Sequence, residues 1–154
     1  MPEVNILLVE DSHQDAMLIK EALFDTGIGH SLQTATNGED ALQILYSAEF
    51  RPNIVFLDLN LPKMSGMEVL KEMKRDSGLR PIPVIILTNS MSEDDVIMAY
   101  ANHCNAYVRK PLGFDKLLTT LNFICRFWFD TATLPKHRIT MISNPPPSQE
   151  NTNF

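Results

Sequence analysis

The sequence predicts an α/β domain: a parallel five-stranded sheet with helices on both faces. Three observations carry this reading. Short apolar, β-rich runs recur along the chain, amphipathic helical patterns separate them, and the intervals are too long for hairpins, so right-handed βαβ crossovers must join the strands. The most informative run is Ile54-Val55-Phe56-Leu57, which leads straight into Asp58-Leu59-Asn60-Leu61-Pro62. Four uninterrupted apolar residues suit a strand covered on both faces, and a carboxylate at its end lies where open α/β sheets place their ligands. Alone, an acid in that place is as easily the cap of the next segment.

The first element is Val4 to Val9, mostly apolar, breaking at Glu10-Asp11-Ser12. Ser12 is a plausible helix cap; Ala16, Ile19 and Leu23 then share one face while Gln14, Asp15, Lys20 and Glu21 fall elsewhere, and Gly27 and Gly29 end the helix. Ser31 to Ala35 alternates, as an edge strand would. Asn37-Gly38 opens a second helix with Ala41, Leu42, Leu45 and Ala48 on its apolar face, closed by Arg51-Pro52-Asn53. After the central strand, Pro62 and Gly66 bracket a loop, and the third helix points Val69, Leu70 and Met73 inward and Glu68, Lys71, Glu72, Lys74 and Arg75 outward. Pro83 to Thr88 is a strand ending in a hydroxyl. Ser92 starts a helix through Ile97, Tyr100 and Ala101, Ala106 to Arg109 is the last strand, and a final helix runs from near Gly113 through Leu117, Leu121, Ile124 and Trp128.

A chain of 154 residues is one domain's length, and its 44% hydrophobic and 21% charged composition is that of a soluble globular protein. The formal net charge of -6 with scattered Lys and Arg argues against nucleic-acid binding. No apolar run reaches the roughly 20 residues a membrane span needs. Cys104 and Cys125 are far apart, and with no secretory segment before Val4 they point to reduced thiols in a cytoplasm. Residues 1-130 are expected to form the domain; 131-154, with Pro145-Pro146-Pro147, a carboxyl-terminal extension and tail without a separate output domain.

In the flavodoxin-like strand order 2-1-3-4-5, the ends of the first and third strands meet at the topological switch point, which gathers Glu10, Asp11 and Asp58. Carboxylates at ~5 Å repel by about 3 kcal/mol per pair at an effective dielectric near 20. A hard divalent cation offsets this, and Mg2+ suits oxygen ligands. Asp11 and Asp58 would ligate it directly, with the backbone carbonyl of Asn60 adding an oxygen and Glu10 acting through water. Thr88 would supply a hydroxyl and Lys110 a positive charge for a phosphoryl group, with Asp58 as nucleophile.

Taken together, Glu10-Asp11, the DLNLPKMSG segment from Asp58 to Gly66, Thr88, Tyr107 and Lys110-Pro111 resemble the response-regulator receiver domains of two-component signalling, over about residues 4 to 128. The resemblance implies a phosphoacceptor signalling protein in a phosphorelay rather than an enzyme: a histidine kinase phosphorylates Asp58, Mg2+ is required, and Thr88 with Tyr107 reports the event to the surface of the fourth helix, fifth strand and fifth helix. It also implies a cis bond at Lys110-Pro111. Glu10 stands where aspartate is more frequent, and Asn89 where small residues are common. Phe127-Trp128 followed by Leu134-Pro135 is further similar to the single-domain regulators of bacterial and cyanobacterial phytochromes, implying a phytochrome-type kinase as partner. The apolar excess of residues 123 to 129 suggests a homodimer through the last helix and sheet edge, with Thr131 to Arg138 extending across. Two other readings share the site. A haloacid-dehalogenase-type phosphotransferase needs a second acid two residues after the nucleophile, where Asn60 stands; a receiver-like adaptor that takes no phosphate would need the site broken.

Overall fold

The computed structural model describes residues 3 to 135. Five strands alternate with five helices: β1 (Val4–Val9), α1 (His13–Asp25), β2 (His30–Ala35), α2 (Gly38–Tyr46), β3 (Ile54–Leu57), α3 (Gly66–Arg75), β4 (Val84–Thr88), α4 (Glu93–Ala101), β5 (Ala106–Arg109) and α5 (Phe114–Cys125), followed by a π-helical turn at Arg126–Thr131. All strand pairs are parallel and the order is β2-β1-β3-β4-β5, as the sequence predicts. β3 and β4 are buried along their whole length, which is why they read as continuous apolar runs.

Side chains alternate across the sheet. Leu7, Val9, Val55, Leu57, Val84 and Ile86 pack on one face with α2, α3 and α4, and Ile6, Leu8, Ile54, Phe56, Ile85 and Leu87 on the other with α1 and α5. Four helices start on a side-chain cap in which Ser12, Asn37, Ser65 or Ser92 accepts the backbone N–H three residues on; Ser65 and Glu68 complete a reciprocal capping box. The helix starts nearest β3 are tightly seated. A Cβ at Gly66 would lie 2.0 Å from the Asp58 carbonyl oxygen, and one at Gly38 would lie 2.2 Å from that of Met64. Only glycine fits these approaches.

Several expectations need correction. Ala48 lies beyond α2, which ends at Tyr46. Lys74 does not point into solvent: its ammonium donates to the carbonyls of Arg80 and Ile82 and to Asn105 Oδ1 at 3.0, 2.9 and 3.4 Å. The last helix runs through Trp128 as expected but changes geometry after Cys125, widening into a π-helical turn until the Ala132 N–H donates to the Phe127 carbonyl at 2.6 Å. Pro135, shortly downstream, cannot extend a helix. No peptide bond among the described residues is cis, so Lys110-Pro111 is trans, the isomer favoured by about 0.5–1 kcal/mol. The chain turns instead at Gly113, whose φ of 92° is open to glycine.

Of the aromatic run, Trp128 and Phe129 pack on the core beside α1, while Phe123 and Phe127 are exposed. The segment after the π-turn returns along its own chain, where Asn53 Nδ2 donates to the Pro135 carbonyl at 3.4 Å. Of the proposed crossing segment and the Pro-rich tail, residues 136 to 154 lie outside the described residues.

Candidate functional site

The site is built by strand register. Val9 pairs with Leu57, so the next residues, Glu10 and Asp58, leave adjacent strands side by side, with the Asp58 N–H donating to the Val9 carbonyl at 3.0 Å. Glu10, Asp11 and Asp58 each offer an oxygen within 4.8 Å of the others. Glu10 and Asp58 are buried and Asp11 is exposed.

Period-two alternation along β5 decides where its cations go. Tyr107 and Arg109 face α4 while Val108 and Lys110 face the α1 side. The Lys110 side chain, 7% exposed, ends among three carboxylates: Glu10 at 2.6 Å, Asp15 at 2.8 Å and Asp58 at 3.2 Å. Burial alone would lower this ammonium's pKa, but hydrogen bonds to Asp15 and Glu10 and the charge of Asp58 hold it above its ordinary value. Glu10 moves the other way for a carboxylate: burial, reinforced by Asp58, outweighs Lys110 and the Ser12 N–H and raises it to about 7. Three acids thus face one lysine, with Asp11 beside two of them, and the excess negative charge is what a divalent cation would neutralise.

The remaining expected residues differ in placement. The Asn60 N–H donates to Asp58 Oδ1 at 3.4 Å, and its residue is exposed. Thr88 is fully buried; its carbonyl accepts the Lys110 N–H at 2.8 Å and its hydroxyl accepts the Ser90 N–H at 3.3 Å. Asn89 is exposed. The Tyr107 ring is already packed inward against the α2–α3–α4 side, with its hydroxyl buried and without a hydrogen-bond partner among the described residues.

Sequence reasoning missed two participants. The periodicity of α1 places Asp15 off its apolar face, yet its carboxylate reaches Lys110. The signal was available: alternation sends Glu10, Asp58 and Lys110 to the α1 side, and Asp15 lies in that helix's first turn. In the sequence Arg109 is simply the end of a strand. Its guanidinium holds the loop between β4 and α4 through the carbonyls of Ser90 and Met91 and the Glu93 carboxylate.

A receiver pocket at the carboxyl ends of a 2-1-3-4-5 sheet is the class that this fold and site define. The chain belongs to the response regulator receiver domain family, whose model matches residues 6–122. It is a signalling domain, not a classical enzyme. The chain is similar to response regulator Rcp1 of Synechocystis sp., with 43% identity over 139 residues covering 87% of this chain and 95% of the relative. It is also 44% identical over 127 residues to the probable methanogenesis regulatory protein FilR2 of Methanothrix harundinacea, covering 80% of this chain and 82% of that one. Among solved structures, the phosphorylated cyanobacterial phytochrome response regulator RcpA superposes with a TM-score of 0.83 at 40% identity, covering 88% of this chain and all of that one. The Mn(2+)-bound form of Rcp1 gives 0.80 at 43% identity, covering 88% of this chain and 100% of that chain. No helix among the described residues is long and apolar enough to cross a membrane.

Proposed function

We propose that Asp58 accepts a phosphoryl group from a phytochrome-type histidine kinase, with Mg2+ held by Asp11, Asp58 and the Asn60 carbonyl and, through water, by Glu10. The convergence of three carboxylate oxygens within 4.8 Å carries the reading. Two similar solved structures support it, one of a phosphorylated phytochrome response regulator and one of a Mn(2+)-bound response regulator. In the transfer an Asp58 carboxylate oxygen forms the new bond to phosphorus as the bond to the kinase's histidine nitrogen breaks, and that nitrogen keeps the electron pair. Bound Mg2+ would supply charge neutralisation at the carboxylates and the phosphoryl oxygens. Lys110 turns an ammonium proton from Asp58 to a phosphoryl oxygen, and Thr88 gives up the Ser90 N–H to donate its hydroxyl. Residues up to about 130 form the receiver, acting in the cytoplasm. Phe123 on α5 and Phe127 in the π-helical turn after it supply the centre of a homodimer. Backbone pairing at the β5 edge is opposed by Tyr100, whose hydroxyl already accepts the Tyr107 N–H at 3.1 Å.

Acetyl phosphate with Mg2+ labels the wild type, and Asp58→Asn abolishes the label; undiminished labelling of that variant moves the site elsewhere. Phosphotransfer profiling against histidine kinases identifies the donor, and preferential transfer from a kinase with no chromophore domain removes the phytochrome assignment. Sedimentation at micromolar concentration giving only the monomer removes the dimer.

A further inference from the structure

An ammonium has three protons, and in Lys110 each has a carboxylate: Glu10, Asp15 and Asp58. With 7% of the side chain exposed, water cannot readily replace a lost partner. Two of those partners, Glu10 and Asp58, belong to the group that gathers within 4.8 Å; Asp15 does not. Anything that takes Glu10 and Asp58, a divalent cation or a phosphoryl group, therefore withdraws ligands from a buried cation. Leaving that cation unpaired is costly.

We propose that Asp15 is a positioning residue that retains Lys110 when Glu10 and Asp58 are taken over, so that cation binding proceeds without stranding the ammonium. The proposal rests on the metal reading above and deepens it. Asp15 is suited to the task. It is anchored in the first turn of α1, where its N–H donates to the Ser12 hydroxyl at 3.2 Å and a negative charge is favoured by the helix dipole. Its side chain is 31% exposed, enough to follow the lysine as the other two contacts loosen. It approaches Nζ from α1 rather than from the strand ends, so it holds the ammonium beside Asp58 without competing for the same cation.

The test is Mn2+ affinity of the full chain, read from the electron paramagnetic resonance signal of free ion. Asp15→Asn is expected to weaken Mn2+ binding about tenfold, the lower end of what loss of an outer-shell partner does. Asp15→Glu should restore most of that affinity. On a Lys110→Met background, Asp15→Asn should change affinity by less than about twofold, because its effect passes through the lysine. An equal factor on both backgrounds would show that Asp15 acts only as a distant charge, and no change on the native background would overturn the proposal outright. A second measurement needs no lysine variant. Between about 0.1 M and about 1 M salt the screening length falls from roughly 10 Å to roughly 3 Å, so a ratio of affinities that persists supports direct contact and one that collapses to unity refutes it. Mn2+ bound as well by Asp11→Asn as by the native chain would instead remove the metal site itself.

Discussion

Two lysines sit at opposite ends of the sheet. Lys110, past the carboxyl end of β5, is surrounded by carboxylates; Lys74, in the last turn of α3, is surrounded by neutral oxygens. Their pKa values move in opposite directions. At Lys74 burial dominates, because neutral acceptors do not favour the charged form strongly enough, and the ammonium is lowered; at Lys110 the anions reverse the same penalty. Lys74 is a clamp. It ties the end of α3 to the connection leading into β4 and to Asn105, whose side chain also accepts the Val84 N–H at 2.9 Å. On the proposal above, Lys110 is a place-holder whose partners are exchanged for something more highly charged. A lysine with neutral partners fixes structure, whereas one with competing anionic partners marks a site.

The largest break in this comparison should come from removing the Lys110 ammonium. Lys110→Met leaves Glu10 and Asp58 buried without their counter-ion, and such losses cost roughly 3–5 kcal/mol. Urea unfolding of the metal-free protein at pH 8 should show a loss of that order, much of it recovered in saturating Mg2+. Recovery by Mg2+ is the diagnostic part, because it separates exchange of one cation for another from simple loss of packing.

Glu10 gives the next largest effect. Its folded value is raised from 4.5 to about 7, so the folded state binds more protons than the unfolded state between those values. The stability it contributes is full below pH 4.5 and is lost as pH rises through about 7. Glu10→Gln cannot ionise. The difference in unfolding free energy between variant and native chain, without metal, should grow in the variant's favour by on the order of 2 kcal/mol across that window. A difference independent of pH would show that Lys110 keeps Glu10 ionised throughout.

The contrast between the two lysines was only half legible in the sequence. Lys110 was found because it follows a strand and shares its end with Asp58 and Thr88, and the strands themselves were plain from runs such as Ile54 to Leu57. Lys74 was placed outside because helical periodicity sees only its neighbours on α3; its acceptors come from residues 80, 82 and 105, which the chain brings back from elsewhere. Asp15 was missed for a related reason. The periodicity of α1 separates core from surface, but a helix start abutting a strand end is neither. The inward Tyr107 ring and the close seats of Gly38 and Gly66 likewise depend on packing between elements.

Removing the clamp should be milder than removing the place-holder. Lys74→Met keeps most of the side chain's apolar length and leaves three neutral oxygens, two of them near solvent, so a loss of about 1–2 kcal/mol is expected. Mg2+ should not restore it. Recovery in Mg2+ would mean that the two ends of the sheet are coupled, and the division drawn above would fail.

Arg109 sharpens the comparison at its weakest end. It is the residue before Lys110, but alternation sends it to the opposite face, where its ion pair at 3.2 Å is with a Glu93 side chain that is 79% exposed. Water can replace that carboxylate, so an exposed pair of this kind contributes little. Glu93→Gln should change stability by less than about 0.5 kcal/mol and leave Mn2+ affinity unaltered. The loop between β4 and α4 should stay in place, because Arg109 still holds the Ser90 and Met91 carbonyls. Unfolding curves and Mn2+ titrations of the variant check both statements. A marked change in metal affinity would show that charge on the α4 side reaches the pocket, and that burial of the partner, rather than proximity along β5, is not what separates Arg109 from Lys110.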